Sequence, residues 1–412
     1  MKLIYFVQYF TPEKASGLQL VEDLLEGFSQ RGWKTDVFTP TPTRGVTNEQ
    51  RKEYAYKRVE VKYDGKLTVH RMHLYSEGKG FICRAIRYML FSIECFWKAA
   101  TVPADFIFTG SGPPTQGIVC GLAKKIFGKK LIYNLQDIFP DSLVLSGICE
   151  EHSLLMKMGR AMEKYTYRNA DHIITITDDM KANVIRKGVP EEKVSVVRNW
   201  IDTDKVKPVS RIDNRLFDEM EFARDKFYVV YAGNLGKLQN IGVILRAASL
   251  LKDKTNIRFV IFGNGCEEDN LKKKIIESSL ENVSIYPLQP VERASEVYGM
   301  ADVCVITCTP GTGGSGMPSK MWTIMATGVP IIASFDTESE MERTVAEAKC
   351  GFCTKAGDAK ALSERIVQLY QNGQLKEKLG QNARKYVETS ASKPKAVAKY
   401  LEIIDSVFSK EK

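Results

Sequence analysis

GTGGSGMPSKMWTIMATGVPIIAS, Gly311–Ser334, reads as loop, helix and strand in succession. The small residues of Gly311–Gly316 let backbone amides approach an anion without side-chain obstruction, and Pro318 suits the first position of a helix. Orphan amides at a helix start, with the positive end of its dipole, make a phosphate cradle, to which Lys320 adds a cation. Gly328-Val329-Pro330 stops the helix, and Ile331-Ile332-Ala333 begins a buried strand. The pattern predicts either a site for a nucleotide diphosphate or an ordinary Gly-rich connection in an α/β sheet.

On both sides of this stretch, short apolar runs alternate with amphipathic helices, the pattern of parallel sheets with crossover helices. The first half carries strand candidates at Lys2–Tyr9, Thr35–Phe38, Phe106–Thr109, Leu131–Tyr133 and Ile173–Ile176, with a helix near Leu18–Gln30. The polar segment 40–68 reads as a surface excursion. The second half restarts at Phe227–Ala232 and continues through Arg258–Phe262, Val283–Tyr286, Val303–Thr307 and Ile331–Ser334. Between them, 201–226 lacks an apolar period and reads as a linker. The expected architecture is α/β, with two facing Rossmann-like, doubly wound parallel-sheet domains at 1–200 and 227–390 and a cleft between their strand ends. A helical tail in 391–412 carries Val397, Leu401, Ile404 and Phe408 at helix spacing and is expected to dock back on the N-terminal domain.

A length of 412 residues suits two or three domains. The net charge of +9 is uneven: residues 1–200 hold 29 Lys/Arg against 22 Asp/Glu, and the remainder 30 against 28. A basic first half fits an anionic surface or polyanionic substrate, or is a solvated face; no basic run is interleaved with aromatics, which argues against nucleic acid. The nine cysteines show no paired metal-ligand spacing, and the lone Cys350–Cys353 pair reads as coincidence in a reduced protein. Without a run of about 18 apolar residues or a signal peptide, the chain reads as cytoplasmic. Asp202-Thr203-Asp204 has the D-x-D form of metal-dependent sugar transferases but reads as a linker turn. The four histidines lack partner spacing and read as structural.

Within 78–100, Phe81, Ile82, Ala85, Ile86, Met89, Leu90, Ile93, Phe96 and Trp97 form an apolar series interrupted by Lys79, Arg84, Arg87 and Lys98. Two readings stand: a basic amphipathic helix in a membrane interface, or a helix packed on its own sheet.

Thr323-Ile324-Met325-Ala326-Thr327-Gly328-Val329-Pro330-Ile331-Ile332-Ala333 is similar to the E-A-M-A-x-G-x-P-V-I-A segment of the family 4 retaining glycosyltransferases, which have two facing Rossmann-like domains. Tyr231–Lys237, Phe262–Gly265, Asn199–Asp202 and the opening Tyr9–Pro12 through Ser16-Gly17 carry the resemblance over nearly the whole chain. Asp137-Ile138-Phe139-Pro140-Asp141-Ser142 resembles a D-x-x-P-E/D-S run of a subgroup acting in bacterial surface-polysaccharide assembly, which includes fucosamine transferases of O-antigen and capsule pathways.

The resemblance implies a retaining transfer, without an essential metal or other cofactor, of a sugar (an amino or deoxy hexose) from a UDP- or GDP-type donor to a lipid-linked saccharide, with peripheral contact to the inner membrane face. Donor contacts are expected from Ser16, Gly17, Gly233, Asn234, Gly263, Leu288, Gly314, Ser315, Gly316, Met317, Pro318, Ser319 and Thr323. Fixed amides and cations answer the charge that builds on a leaving diphosphate, so Lys237 and Lys320 are catalytic candidates. Asp137 either orients or deprotonates the acceptor hydroxyl, contacts the donor sugar, or caps a turn before Pro140. The nucleobase is expected against backbone near Leu288-Gln289-Pro290. The chain departs from the family where its paired glutamates fall on Ser315 and Thr323, and where its phosphate-binding Arg and Lys fall on Asn234 and Gln239. Rival readings are a nonhydrolysing nucleotide-sugar epimerase, a scaffold subunit that binds without turnover, and a dehydrogenase, for which the first strand lacks G-x-G-x-x-G.

Overall fold

Runs of β-branched and aromatic residues, apolar on both faces, are what a parallel strand covered by helices on either side requires. The computed structural model, which describes residues 1–15, 17–75, 81–145, 149–315 and 317–409, places such runs in two sheets. The chain forms two units, Met1–Arg198 with Ala396–Lys412, and Asn199–Lys395.

The first unit holds β1 (Lys2–Phe6), β2 (Lys34–Pro40), β3 (Val59–Lys62), β4 (Leu67–Met72), β5 (Phe106–Gly110), β6 (Lys130–Leu135), β7 (His172–Thr175) and β8 (Val194–Val196). Their order is β3-β4-β2-β1-β5-β6-β7-β8, parallel except for the β3 edge. The chain reverses its direction across the sheet at β1 and β5, so the loops after these strands occupy the topological switch point.

Segment 40–68 is not a simple excursion: it carries the helix Asn48–Tyr56, all of β3 and the start of β4. β3 has solvent on its outer edge and too few apolar residues to show a period, while Arg71 on β4 is buried because its guanidinium binds Glu60 of β3 at 2.8 Å and the Thr11 carbonyl. The helix Lys393–Ser409 lies on this sheet. Tyr400, fully buried, donates its hydroxyl to Asn134 at 2.9 Å, Phe408 packs on Phe106, and Val397 sits over Gly27, where a Cβ would come within 2.2 Å.

The second unit holds β9 (Phe227–Asn234), β10 (Ile257–Asn264), β11 (Val283–Tyr286), β12 (Val303–Thr307), β13 (Ile331–Phe335) and β14 (Gly351–Lys355), in the order β11-β10-β9-β12-β13-β14. All neighbours are parallel, and the reversal falls between β9 and β12. The stretch 201–226 is part of this unit and not a linker. Leu216 and Phe217 are buried in its core beside Tyr228, and Arg211 binds Asp302 at 2.6 Å. Its fully buried apolar residues, Leu216 and Phe217, are adjacent in one short helix, Leu216–Glu219, while Ile201, Val206, Met220 and Phe222 reach the core from irregular chain, so no period shows in the sequence. Asp202 turns the chain locally: its carboxylate accepts the amides of Asp204 at 3.0 Å and Lys205 at 3.2 Å.

Candidate functional site

The register of β9 and β10 pairs Gly233 with Gly263 and Asn234 with Asn264 at the carboxyl ends of both strands. Both glycines are required there. Gly233 has φ +143, and a Cβ on it would meet the Lys320 ammonium at 2.5 Å; a Cβ on Gly263 would meet the Gly233 carbonyl oxygen at 2.4 Å. Asn264 accepts the Leu288 amide at 2.9 Å, which joins the end of β11 to the same edge. Four predicted residues, Gly233, Asn234, Gly263 and Leu288, therefore share one edge of the sheet.

Lys320 reaches this edge from the helix Lys320–Ala326. The helix forms because Met321, Trp322, Ile324 and Met325 all pack into the core; Gly328, at φ 71, ends it. Lys320 is half-buried, with its ammonium 3.9 Å from the centroid of the Tyr231 ring, which it faces as a cation over a π surface. Among the described residues it has no hydrogen-bonding or carboxylate partner. Burial lowers its pKa to about 8, against a small opposing effect of Cys304. Thr323, three residues on, shares its helix face and is half-buried. Tyr231 opens the Tyr231–Lys237 match but has no expected role; its hydroxyl donates to the Asn234 carbonyl at 2.8 Å and holds the strand end beneath Lys320.

Lys237 lies in the turn after β9, exposed, on the short 3-10 helix Lys237–Gln239. Thr309 fixes this turn from the loop after β12: its hydroxyl donates to the Lys237 carbonyl at 2.7 Å and its amide to the Leu238 carbonyl at 2.8 Å. Asn234 and Gln239, which stand where the family places its phosphate-binding Arg and Lys, bond to each other at 3.3 Å. The cations at this edge are thus Lys320 and Lys237.

The glycine loop differs from its expected form in two respects. Pro318 is not the first helical residue; the helix begins at Lys320, and the Pro318 carbonyl accepts the Met321 amide at 3.0 Å in the turn before it. Two amides of the loop are already engaged, since Asp336, just beyond β13, accepts Gly311 at 3.0 Å and Gly313 at 2.7 Å. In the Leu288-Gln289-Pro290 stretch, where a nucleobase is expected against backbone, the Leu288 amide is held by Asn264. Gly314 and Ser319 are exposed and Met317 packs partly against the core; Gly316 and the Ser315 side chain lie outside the described residues. Asp336 belongs to no quoted motif, and the register of β12 and β13 brings it beside this loop. Replacing Asp336 with alanine is expected to release the exposed Gly311 amide to water and leave the buried Gly313 amide unpaired, to accelerate exchange of both at least tenfold, and to cost about 1–3 kcal/mol.

In the first unit, the loops after β1, β5 and β6 adjoin at the switch point. Ser111 accepts the amides of Gln136 and Asp137, each at 3.2 Å, and Gly112 sits beside the Gln8 side chain. Asp137 is exposed overall, but partial desolvation of its carboxyl holds it above its ordinary pKa, against hydrogen bonds from Ser142 and the Ile138 amide, with Asp141 raising it further. These bonds give the capping role real content while leaving a carboxylate at the strand end. Asp141 itself is desolvated, yet Lys187, Arg160 and Asn183 hold it below the usual range. Gly17, at φ 79, begins the helix Leu18–Gln30; Ser16 lies outside the described residues. Glu13, buried and not foreseen, accepts the amides of Phe10, Thr43 and Arg44 and so ties the loop after β1 to that after β2.

Among the described residues no three or more His, Cys, Asp or Glu side chains are grouped to hold a metal ion. Residues 19–205 match the family described as Glycosyltransferase Family 4, and residues 213–386 match Glycosyl transferases group 1. The chain is built of two glycosyltransferase domains.

This glycosyltransferase is 28% identical over 302 residues to a Pseudomonas aeruginosa protein described as a probable glycosyltransferase, WbjE, covering 73% of each chain. It is 24% identical to an Escherichia coli protein named for colanic acid biosynthesis, the glycosyl transferase WcaI, over 97% of this chain and 99% of that one. Among solved structures, sucrose-phosphate synthase from Thermosynechococcus elongatus superposes with a TM-score of 0.78 at 17% identity, covering 99% of each chain. Anabaena HepE in complex with UDP and glucose gives 0.73 at 17% identity, over 98% of this chain and 100% of that one. These similarities show the fold, two Rossmann-like parallel-sheet domains of the GT-B type.

Proposed function

We propose that this glycosyltransferase moves a sugar from a nucleoside-diphosphate donor to a lipid-linked saccharide in the assembly of a bacterial surface polysaccharide. The observation that carries the reading is the half-buried Lys320 ammonium, without an anionic partner among the described residues, at the glycine-lined end of β9. A partly desolvated cation with no counter-charge favours an incoming anion, and a diphosphate leaving group gains negative charge as the glycosidic bond breaks. Lys320 and Lys237 receive that charge. Gly233 and Gly263 let the donor approach the backbone closely, and Thr323 supplies a hydroxyl where the family has a carboxylate.

The name of WcaI, and the UDP bound by HepE, support a polysaccharide pathway and a nucleotide donor. A retaining, metal-independent transfer is what the resemblance to family 4 implies, and an amino or deoxy hexose, as in the fucosamine-transferase subgroup, is what the Asp137–Ser142 run adds.

Asp137 is assigned to the acceptor: as a base it takes the proton of the attacking hydroxyl. Its raised pKa means that the active, ionised form is lost as pH falls through that value, which gives the rate an acid limb. Asp137→Asn is expected to lower kcat by about 10²–10⁴-fold, to abolish that limb and to leave nucleotide affinity unchanged. A variant that retains its rate removes Asp137 from the chemistry and leaves its capping role.

The reaction itself is tested by incubating the protein with nucleotide sugars and bacterial membranes. Nucleotide release coupled to a matching mass gain in a lipid-linked saccharide is the expected result. Isomerised sugar without acceptor would instead identify an epimerase, and binding without turnover across a broad donor screen would identify a scaffold subunit.

A further inference from the structure

Exposed apolar side chains of the first unit fall mainly in two groups. One lies on the helix Phe81–Thr101, whose other face packs on the sheet through Phe91, Cys95 and Ala99, with Arg87 turned inward to the Thr41 and Tyr75 carbonyls and Trp97 turned outward. The packed reading of its sequence holds for that face. The other group is β3, where Val59 and Val61 are 55% and 63% exposed, with Tyr56 before the strand and Tyr63 after it exposed as well.

β3 is the last strand of its sheet and pairs on one side, with β4. The Arg71 amide donates to the Arg58 carbonyl at 2.7 Å, so residue 58 turns its main chain toward β4. Antiparallel ladders alternate, which turns Glu60 and Lys62 the same way and directs the N–H and C=O of Val59 and Val61 outward. Outward main-chain groups and exposed valines on one strand are a template for a further strand. Such edges are commonly blunted by charge. Here the charges select which strand the edge accepts.

The strand and its flanks read Arg58-Val59-Glu60-Val61-Lys62-Tyr63-Asp64. Going out from Val61 in both directions, each charge has its opposite at the same distance: Glu60 and Lys62, then Arg58 and Asp64. A second copy paired antiparallel about a two-fold axis at Val61 therefore sets Glu60 of each chain opposite Lys62 of the other, and Arg58 opposite Asp64. Val61 meets its own equivalent, where the two main chains exchange N–H···O=C bonds, and Val59 comes opposite Tyr63. Arg58, Lys62 and Asp64 are exposed and have no ion-pair partner among the described residues, while Glu60 is already held by Arg71 and Lys57. An axis one residue to either side sets Glu60 or Lys62 against itself, and like charges directly opposite destabilise a strand pair. One register is thus selected. β3 stands three strands from β1, about 14 Å by the usual strand spacing, so the contact lies apart from the loops at the switch point.

We infer that β3 is a self-association edge, through which two copies of the chain pair antiparallel about Val61 and run their two eight-stranded sheets on as one. The contact takes the exposed valines out of water and gives the outward main-chain groups their partners. It requires no donor or acceptor and stands whether or not the proposed transfer does.

Sedimentation velocity of the full chain over a concentration series is expected to show a monomer–dimer equilibrium. Val61→Lys brings two ammonium groups together at the axis, and Lys62→Glu sets a carboxylate against Glu60. Each is expected to raise the dissociation constant at least tenfold while the thermal melt stays unchanged, since both side chains are exposed. Register is read with cysteine and a methylene-bridged bis-thiosulfonate. Val61→Cys is expected to be captured as a dimer, its Cα atoms about 5.5 Å apart across the axis. Val59→Cys, four residues or about 14 Å along the strand from its own equivalent, is not. The wild type, with its native cysteines, gives the background. A chain that stays monomeric throughout, a dimer that neither charge substitution weakens, or capture of Val59→Cys as readily as Val61→Cys would each overturn the inference. A monomeric chain whose β3 binds another protein or lipid vesicles belongs to the first of these outcomes and gives the edge to that partner.

Discussion

Lys320→Met lowers affinity for UDP and GDP by about 10–150-fold, the loss expected when a charge-assisted hydrogen bond worth about 1.5–3 kcal/mol is removed. The same substitution does not weaken the fold. Lys320 is half-buried, with its pKa lowered to about 8 by burial, so the folded protein bears the cost of holding its charge in a poorly solvated place. An unfolded lysine titrates near 10.4, which means that between about pH 8 and 10 the unfolded state binds more protons than the folded one. Stability attributable to this group therefore rises with pH through that window and is absent below it.

A bound diphosphate favours the ammonium and raises its pKa, so nucleotide affinity of the wild type falls as pH climbs through about 8. Methionine removes both slopes: the variant is at least as stable at neutral pH, and its weaker binding is flat across this range. Calorimetric titration at several pH values, paired with thermal melts, reads all of these quantities. Equal affinity in variant and wild type would take Lys320 out of the donor site and would leave the proposed transfer without its principal support.

Gly263→Ala has the other large effect, on the second domain itself. A Cβ there lies 2.4 Å from the Gly233 carbonyl oxygen and 2.7 Å from two atoms of Leu235. The carbonyl belongs to the paired strand and cannot rotate away as a side-chain tip would, so β9 and β10 have to separate at the edge where Gly233 faces Lys320. A loss of about 1–3 kcal/mol is expected from such overpacking. For a domain of this size that is a fall in Tm of roughly 3–10 °C. Displacement of Gly233 weakens nucleotide binding in the same variant. Gly314→Ala is the control, because a Cβ at Gly314 meets nothing within 4 Å; its melt is expected to stay within about 0.5 kcal/mol of wild type. Equal melts for the two alanine variants would show that the β9–β10 edge yields without cost.

The parallel-sheet architecture was legible because strands covered on both faces must be apolar throughout, as in Val229–Tyr231 or Ile331–Ala333, and such runs stand out between charged helices. Strands that break this rule escaped notice. β3 is mostly exposed, and β4 buries an arginine, so neither has the composition that marks an interior strand. The 201–226 segment escaped for a related reason: it is anchored by Leu216 and Phe217 and by the Arg211–Asp302 pair, whose partners lie far apart in the chain.

The candidate site divides in the same way. The glycines at 233 and 263 and the lysine at 320 announce themselves through residue type, because glycine admits a close backbone and a lysine beside a glycine-rich loop adds charge to amides that can hold a phosphate. Which groups they meet is a matter of register. The sequence alone established two parallel α/β domains, a glycine-rich segment before a buried helix, and a basic, half-apolar helix in the first domain, since each follows from the period or composition of a contiguous stretch. Tertiary structure decided that Asp336 occupies amides of the glycine loop, that Tyr231 lies beneath Lys320, and that Arg87 turns inward while Trp97 turns outward. Those outcomes depend on pairings between strands and helices distant in the chain, and no local pattern encodes the distance between two side chains brought together only by the sheet.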